Sequence, residues 1–203
     1  MIATVILAAG QASRMGSLKQ LMPWGNKTIL GRTVEIFQQA GAEPIFVIVG
    51  NQASEIKKKL GDLDVIWVHN PDFEQGMSSS IHAGIRALSQ ETEAVLLALG
   101  DLPLLSADTV NKMVNTFRQG RHRILVPCYQ GKTGHPVIFA KELFPKLLEL
   151  RGDQGARRLI RENEEQVCYL EVDDPGICLD IDDPQTYAKL LPLKEECSNA
   201  GLD

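Results

Sequence analysis

Four continuous apolar runs, each followed by a segment with helical spacing, constrain the fold of this chain more than any other feature. The runs are ATVILAA (3–9), PIFVIVG (44–50), DVIWVHN (64–70) and EAVLLALGD (93–101). The first ends at a glycine and, like the others, reads as a strand buried on both faces. ILGRTVEIFQQAG (29–41) repeats Ile29, Leu30, Val34, Phe37 and Ala40 at helical spacing and stops at Gly41. ASEIKKKLG (53–61) predicts a short helix, MSSSIHAGIRALSQ (77–90) a helix opened by serines, and SADTVNKMVNTFRQG (106–120) a helix capped by Ser106. Such alternation implies right-handed crossovers and a parallel sheet. The expected class is α/β: a doubly wound, mostly parallel, Rossmann-like sheet in three layers.

After residue 120 the rhythm changes. RILVPCYQGKTGHPVIFA (123–140) reads as two strands joined by a glycine turn. ELFPKLLEL and GDQGARRLIREN follow, then strand candidates at 166–172 and 177–181 and a last helix from 183 to about 192. This half is expected to extend the same sheet. With 203 residues and no repeat or long linker, the chain fits one domain over 1–192, in halves 1–120 and 121–192, with 193–203 as a tail. The formal net charge of −5 argues against a nucleic-acid polymer as partner, but leaves room for a small anion at a local positive site or a metal. The four cysteines lack C-x-x-C spacing and read as free thiols in a reducing cytosol. No run approaches the roughly 20 apolar residues of a membrane span. The N-terminal run lacks a basic flank, so it reads as a buried strand and not as a signal peptide. A cytoplasmic location without a membrane partner is expected.

Ligands of open parallel sheets bind beyond the carboxyl ends of the strands, and four stretches fall there: 8–19, 70–80, 100–105 and 180–184. In LAAGQASRMGSLKQLMPW (7–24), Ala8, Ala9 and Gly10 let a flat group approach the backbone, and Arg14 and Lys19 follow. Neither common phosphate-loop pattern is present. The cations alone would fit a solvated loop; with small residues at a strand end they suit a polyphosphate. Asp101 follows VLLALG, and because Ser106 caps the next helix, Asp101 is free to serve as a Mg²⁺ ligand. In DIDDPQ (180–185), Asp183 and Pro184 fit N-cap and N1. That leaves Asp182 as the better second metal carboxylate, with Asp180 read as structural. Ser78–Ser80 exceed what one cap needs, so a hydroxyl or N–H there, at Ser79 or Ser80, would read a base laid against Ala8–Ala9. His82 reads as surface. By chemistry alone His135 is a strand-start residue, and Asp153 with Arg157 a helical ion pair.

Taken in order, LAAGQASRMGSLKQLMPW, GMSSSIHAGI, GDLPLL, GHPVIF, GDQGAR and DIDDP closely resemble the motifs of the molybdenum cofactor nucleotidyltransferases, MobA-like NTP transferases. The resemblance is strongest to the molybdopterin cytidylyltransferase branch and covers roughly residues 3–190. It implies the nucleotidyltransferase form of the fold, with 1–120 as the nucleotide half and 121–192 as the acceptor side. It implies transfer of CMP from CTP to the phosphate of molybdopterin, with release of pyrophosphate, and a molybdoenzyme as a candidate partner. By position, Ala8–Gly10 and Ser80 lie at the base and ribose, Arg14 and Lys19 on the triphosphate, Asp101 and Asp182 on Mg²⁺, and His135, Asp153 and Arg157 on the pterin side. The guanylyl-transferring branch usually has LAGG where this chain has LAAG, which favours CTP over GTP. The family often has arginine where Thr133 stands and threonine where Asp183 stands. The first departure leaves open another acceptor, such as a sugar or polyol phosphate. A non-catalytic cofactor-binding protein on the same scaffold is the further alternative.

Overall fold

A computed structural model of the chain describes residues 1–10, 18–153 and 155–195. Its first half runs β1 (Ile2–Leu7), a small hairpin of β2 (Pro23–Trp24) and β3 (Lys27–Thr28), α1 (Ile29–Gln39), β4 (Ile45–Val49), α2 (Ala53–Leu60), β5 (Ile66–His69), α3 (Met77–Ala87), β6 (Ala94–Leu99) and α4 (Ala107–Gln119). The second half adds β7 (Ile124–Tyr129), β8 (Lys132–Thr133), β9 (Val137–Ala140), α5 (Phe144–Leu147), α6 (Arg157–Glu162), β10 (Val167–Glu171) and α7 (Pro184–Leu190).

The four apolar runs form β1, β4, β5 and β6, all parallel, in the order β5-β4-β1-β6. The order reverses between β1 and β6, which makes the carboxyl ends of these two strands the switch point of the sheet. The second half continues the sheet as β6-β9-β7-β10, with β8 folded onto β7. Here β9 runs antiparallel to both β6 and β7. Its register sets Val137 opposite Leu97, so residues 134–136 enter the sheet at the rim where β1 and β6 leave it. The reading of 177–181 as a strand is corrected. Pro175–Cys178 is a 3₁₀ turn whose Asp174 side chain accepts from the Gly176 N–H at 2.8 Å and the Ser106 N–H at 2.9 Å.

Because side chains alternate along each strand, the sheet feeds two cores. Ile6, Val47 and Leu96 pack with Phe37 of α1, Ile56 of α2 and Met113 of α4 on one face. Val5, Ile48 and Leu97 pack with Ile81 of α3, Leu147 of α5 and Leu159 of α6 on the other. The result is the expected three-layer arrangement. A third, smaller cluster joins Trp24, Ile29, Leu104, Ile181 and Leu190, and so docks α7 and the hairpin beside the switch point. Ile181 is fully buried, a contribution of about 2–3 kcal/mol for a side chain of this size.

Two helix caps act where the sequence places them, at Ser106 and Asp183, and Thr28 supplies a third. Thr28 caps α1 by accepting from the Gly31 N–H at 3.0 Å, Ser106 caps α4, and Asp183 caps α7 by accepting from the Thr186 N–H at 2.8 Å, with Pro184 next. Helix α3 differs. Its serines do not cap it; Asp153 reaches across from the 150s loop and accepts from the Met77 N–H at 3.0 Å. His82 is half-buried and not a surface residue, and burial, with the charge of Arg86, lowers its pKa.

Candidate active site

A cavity of about 1260 Å³ lies along the rim formed by the carboxyl ends of β1 and β6 and the entry to β9. At its centre is Asp101, immediately after β6, with 8% of its surface exposed. The neighbouring chain is brought to it by a backbone bond: the Ile181 N–H donates to the Asp101 carbonyl at 3.3 Å. With Ile181 locked into the third core cluster, its flanking residues Asp180 and Asp182 are delivered to Asp101. One carboxylate oxygen from each of Asp101, Asp180 and Asp182 lies within 4.8 Å of the others. Asp180, read from the sequence as structural, therefore joins the pair Asp101 and Asp182.

Lys19 sits among these acids. Its Nζ donates to Asp101 Oδ2 at 2.5 Å and to Asp182 Oδ1 at 3.0 Å. Burial alone would lower the Lys19 pKa, but the two carboxylates outweigh it and raise it, so the ammonium stays charged. Burial pushes the Asp101 carboxyl up, with Lys19 offsetting only part of the effect; burial and the adjacent Asp182 push Asp180 up as well. Asp101 Oδ1 is sealed from water and, among the described residues, accepts no hydrogen bond. An orphaned buried oxygen within a set of three hard carboxylate donors fits a divalent cation such as Mg²⁺. Arg14, the other predicted cation, lies outside the described residues.

The strand end beside this cluster is built from small residues. A Cβ on Gly100 would stand 3.0 Å from the Ala8 Cβ, and one on Gly50 would stand 3.0 Å from the Ala9 Cβ and 2.5 Å from the Cβ of Phe73. Gln20, almost fully buried, donates to the carbonyls of Ala8 at 2.8 Å and Gly10 at 3.2 Å and so fixes this backbone. Ala8, Ala9 and Gly10 line the cavity together with Phe73 and Ser80. Ser79 does not: its hydroxyl donates inward to the Gly76 carbonyl at 2.8 Å. Asn70, also buried, donates to both serine hydroxyls.

The far end of the cavity has a different character. Its floor is apolar, with Ile81, Leu97, Val126, Val137, Phe139 and Ile160, and Arg157 and Arg161 stand over it one helical turn apart on α6. No ion pair joins Asp153 and Arg157 among the described residues; Asp153 spends its carboxylate on the start of α3, and the helical-pair reading is corrected. Thr133, which replaces the arginine common in the resembling family, lines this end. The His135 N–H donates to the Ile177 carbonyl at 2.8 Å, and a Cβ on Gly134 would stand only 2.2 Å from that same oxygen. The His135 pKa is lowered to about 4, chiefly by burial and then by the charge of Arg157; a bond to the Leu97 backbone offsets part of this. Its Nδ1 is sealed from water and, among the described residues, has no partner.

This imidazole gives a pH prediction. Below its ordinary value of 6.5 the unfolded chain takes up a proton that the folded chain refuses until about pH 4. Folded stability therefore declines as pH falls through that window, by at most about 3 kcal/mol from this group, less what partial exposure of the residue screens. Urea titrations at pH 7 and pH 4.5 should show a smaller acid loss in His135→Gln than in the parent chain.

Residues 4–167 match the MobA-like NTP transferase domain. The chain belongs to this family. Across the MobA-like relatives, it is 28% identical over 184 residues to the molybdenum cofactor cytidylyltransferase of Escherichia coli K12, covering 90% of this chain and 92% of that protein. It is 29% identical over 196 residues to the nicotine blue oxidoreductase of Paenarthrobacter nicotinovorans, covering 92% and 95%. The solved structure of Rv0371c from Mycobacterium tuberculosis H37Rv superposes with a TM-score of 0.82 at 29% identity, covering 95% of this chain and 99% of that one. A manganese complex of Rv0371c superposes at 0.78, with 28% identity and coverage of 94% and 97%. The chain is thus a nucleotidyltransferase of the MobA-like family, with an acidic cluster able to hold a metal. No helix among the described residues is long and apolar enough to cross a membrane.

Sequence reasoning did not single out Arg161, Asn70, Gln20 or Phe73, and it set Asp180 aside as structural. Asp180 was readable as the partner of Asp182 two positions on, and Arg161 as the residue one turn beyond Arg157. Asn70 was readable as a polar residue closing an apolar run. Gln20 carries no such signal, because only the tertiary path of its loop places it under Ala8.

Proposed function

We propose that the protein transfers CMP from CTP to the phosphate of molybdopterin and releases pyrophosphate. The observation that carries this reading is the pairing within one cavity of a buried carboxylate trio, with its lysine, and an apolar floor under two arginines. Identity does not choose among relatives, since the oxidoreductase matches as closely as the cytidylyltransferase. The site residues support the transfer reading. Three carboxylates gathered beside a lysine suit a metal–triphosphate, and the apolar floor suits a flat heterocyclic acceptor better than a polyol.

On this reading Asp101, Asp180 and Asp182 hold Mg²⁺, which when bound neutralises charge on the triphosphate. Ala8–Gly10 and Phe73 shape the slot for the base, and Ser80 meets its edge. Lys19 stands where the α-phosphate arrives, and Arg14 serves the β/γ end. Arg157 and Arg161 hold the anionic acceptor over the floor beside His135. An oxygen of the acceptor phosphate attacks the α-phosphorus in line, the bond from that phosphorus to the bridging oxygen breaks, and pyrophosphate leaves with the electron pair. The attacking monoester is already anionic, so no base is required. The work of the protein is to hold two repelling anions together and stabilise the leaving charge.

Pyrophosphate release is expected with CTP, Mg²⁺ and molybdopterin, and not with GTP in place of CTP. Thr133 at the acceptor end favours one second reading, a sugar or polyol phosphate as acceptor. Turnover with such a phosphate and none with molybdopterin would establish that reading. Absence of any thermal shift with CTP and Mg²⁺ would instead point to a binding protein.

A further inference from the structure

We propose that Asn70 is a positioning residue that occupies a lone pair of the Ser80 hydroxyl and leaves its proton for the ligand, so that Ser80 donates to a hydrogen-bond acceptor on the edge of the bound base. The inference deepens the nucleotide-transfer reading above and rests on it.

A count of protons carries the argument. The Asp72 N–H can only donate, and it donates to Asn70 at 3.0 Å, so the atom it meets is Oδ1 and the Asn70 amide nitrogen faces the serines. That nitrogen has two protons. One goes to Ser79 Oγ at 2.9 Å and the other to Ser80 Oγ at 3.0 Å. Ser79 sends its own proton to the Gly76 carbonyl. Ser80 receives a proton from Asn70, and among the described residues no group accepts the one it carries. Ser80 lines the cavity, and the residue is 5% exposed. Its hydroxyl proton therefore points to the ligand. Cytosine offers a carbonyl oxygen and an unprotonated ring nitrogen side by side on one edge, and either satisfies this donor. Asn70 itself is 2% exposed and is not among the residues that line the cavity, so it acts through Ser80.

Asn70→Asp tests this with little change of shape. A carboxylate still accepts from the Asp72 N–H but cannot donate, so it draws the Ser80 proton inward and turns lone pairs toward the base. The dissociation constant of CTP with Mg²⁺, measured by calorimetry, should rise about tenfold or more, the effect of setting a buried acceptor against an acceptor. Because the contact is remote from the reacting phosphorus, KM should rise with kcat nearly unchanged. Asn70→Ala, which leaves Ser80 free to rotate and still donate, should lose less. In the double variant with Ser80→Ala, the Asn70→Asp penalty should disappear. A merely structural Asn70 predicts the reverse order, with Asn70→Ala worse and no rescue. Should Asn70→Asp fail to fold, Ser80→Ala should weaken CTP binding while Ser79→Ala leaves it unchanged; equal losses overturn the assignment. If the parent chain binds CTP and Asn70→Asp binds it equally well, this inference alone fails. If the parent binds neither CTP nor GTP, the transfer reading fails and takes this one with it.

Discussion

Asp101→Asn is expected to cut pyrophosphate release with CTP and Mg²⁺ by on the order of 10²–10³-fold, the cost typical of removing one preorganised electrostatic group from a transition state. Asp101 supplies the buried, orphaned oxygen of the carboxylate trio and the shorter of the two bonds to Lys19. An amide keeps the shape but cannot hold a hard cation as a carboxylate does. Stability should move little. The carboxyl is already raised by burial, so an amide removes a charge that the folded state tolerates poorly, and Lys19 keeps Asp182. Urea midpoints within about 1 kcal/mol of the parent, beside a collapsed rate, are the expected pair of results. A variant that turns over at the parent rate would remove Asp101 from the metal site.

Gly134→Ala should give the largest loss of stability. Its Cβ would be driven to 2.2 Å from the Ile177 carbonyl oxygen, while its N–H is already committed to Pro127 at 3.0 Å. The obstacle is backbone on both sides, so neither can swing away as a side-chain tip would. About 3 kcal/mol or more is expected in urea unfolding. The relief, if the chain folds, is a shift of the 175–178 turn, which leads directly into Asp180 and Asp182. Activity should therefore fall beyond the loss of folded material. Gly10→Ala is the control for stability, since among the described residues nothing lies within 4 Å of a Cβ there. Equal stability of the two variants would show that the 175–178 turn yields to Gly134.

The first half of the fold was legible because its strands are continuous apolar runs with helically spaced segments between them, and single helix caps were legible in both halves. Thr28, Ser106 and Asp183 act within four residues of where they stand. What the sequence hides is action at a distance. Asp153, seen beside Arg157, looks like half of a helical pair; in space it caps a helix that begins 76 residues earlier. The 177–181 segment has the composition of a strand but bonds to Asp101 and Gly176 instead of to a neighbouring strand, so it reads as one and folds as a turn. Asp180 fell to the same blindness. Whether it or Asp182 faces Asp101 depends on how Ile181 is anchored, and that depends on Trp24, Leu104 and Leu190.

The reversed strand β9 has a consequence for how this scaffold diversifies. On the proposed reading, most of what handles the nucleotide hangs from parallel strands laid down before residue 120, and Asp180 and Asp182 join it from the chain after β10, while the short β8 hairpin and residues 134–136 arrive at the same rim from the opposite direction. The 130–136 segment is therefore a cassette. Its tip can be swapped or lengthened to suit a new acceptor without disturbing the triphosphate machinery, provided the glycine that abuts Ile177 stays. Transplanting this hairpin between relatives should carry acceptor preference with it and leave the choice of base behind.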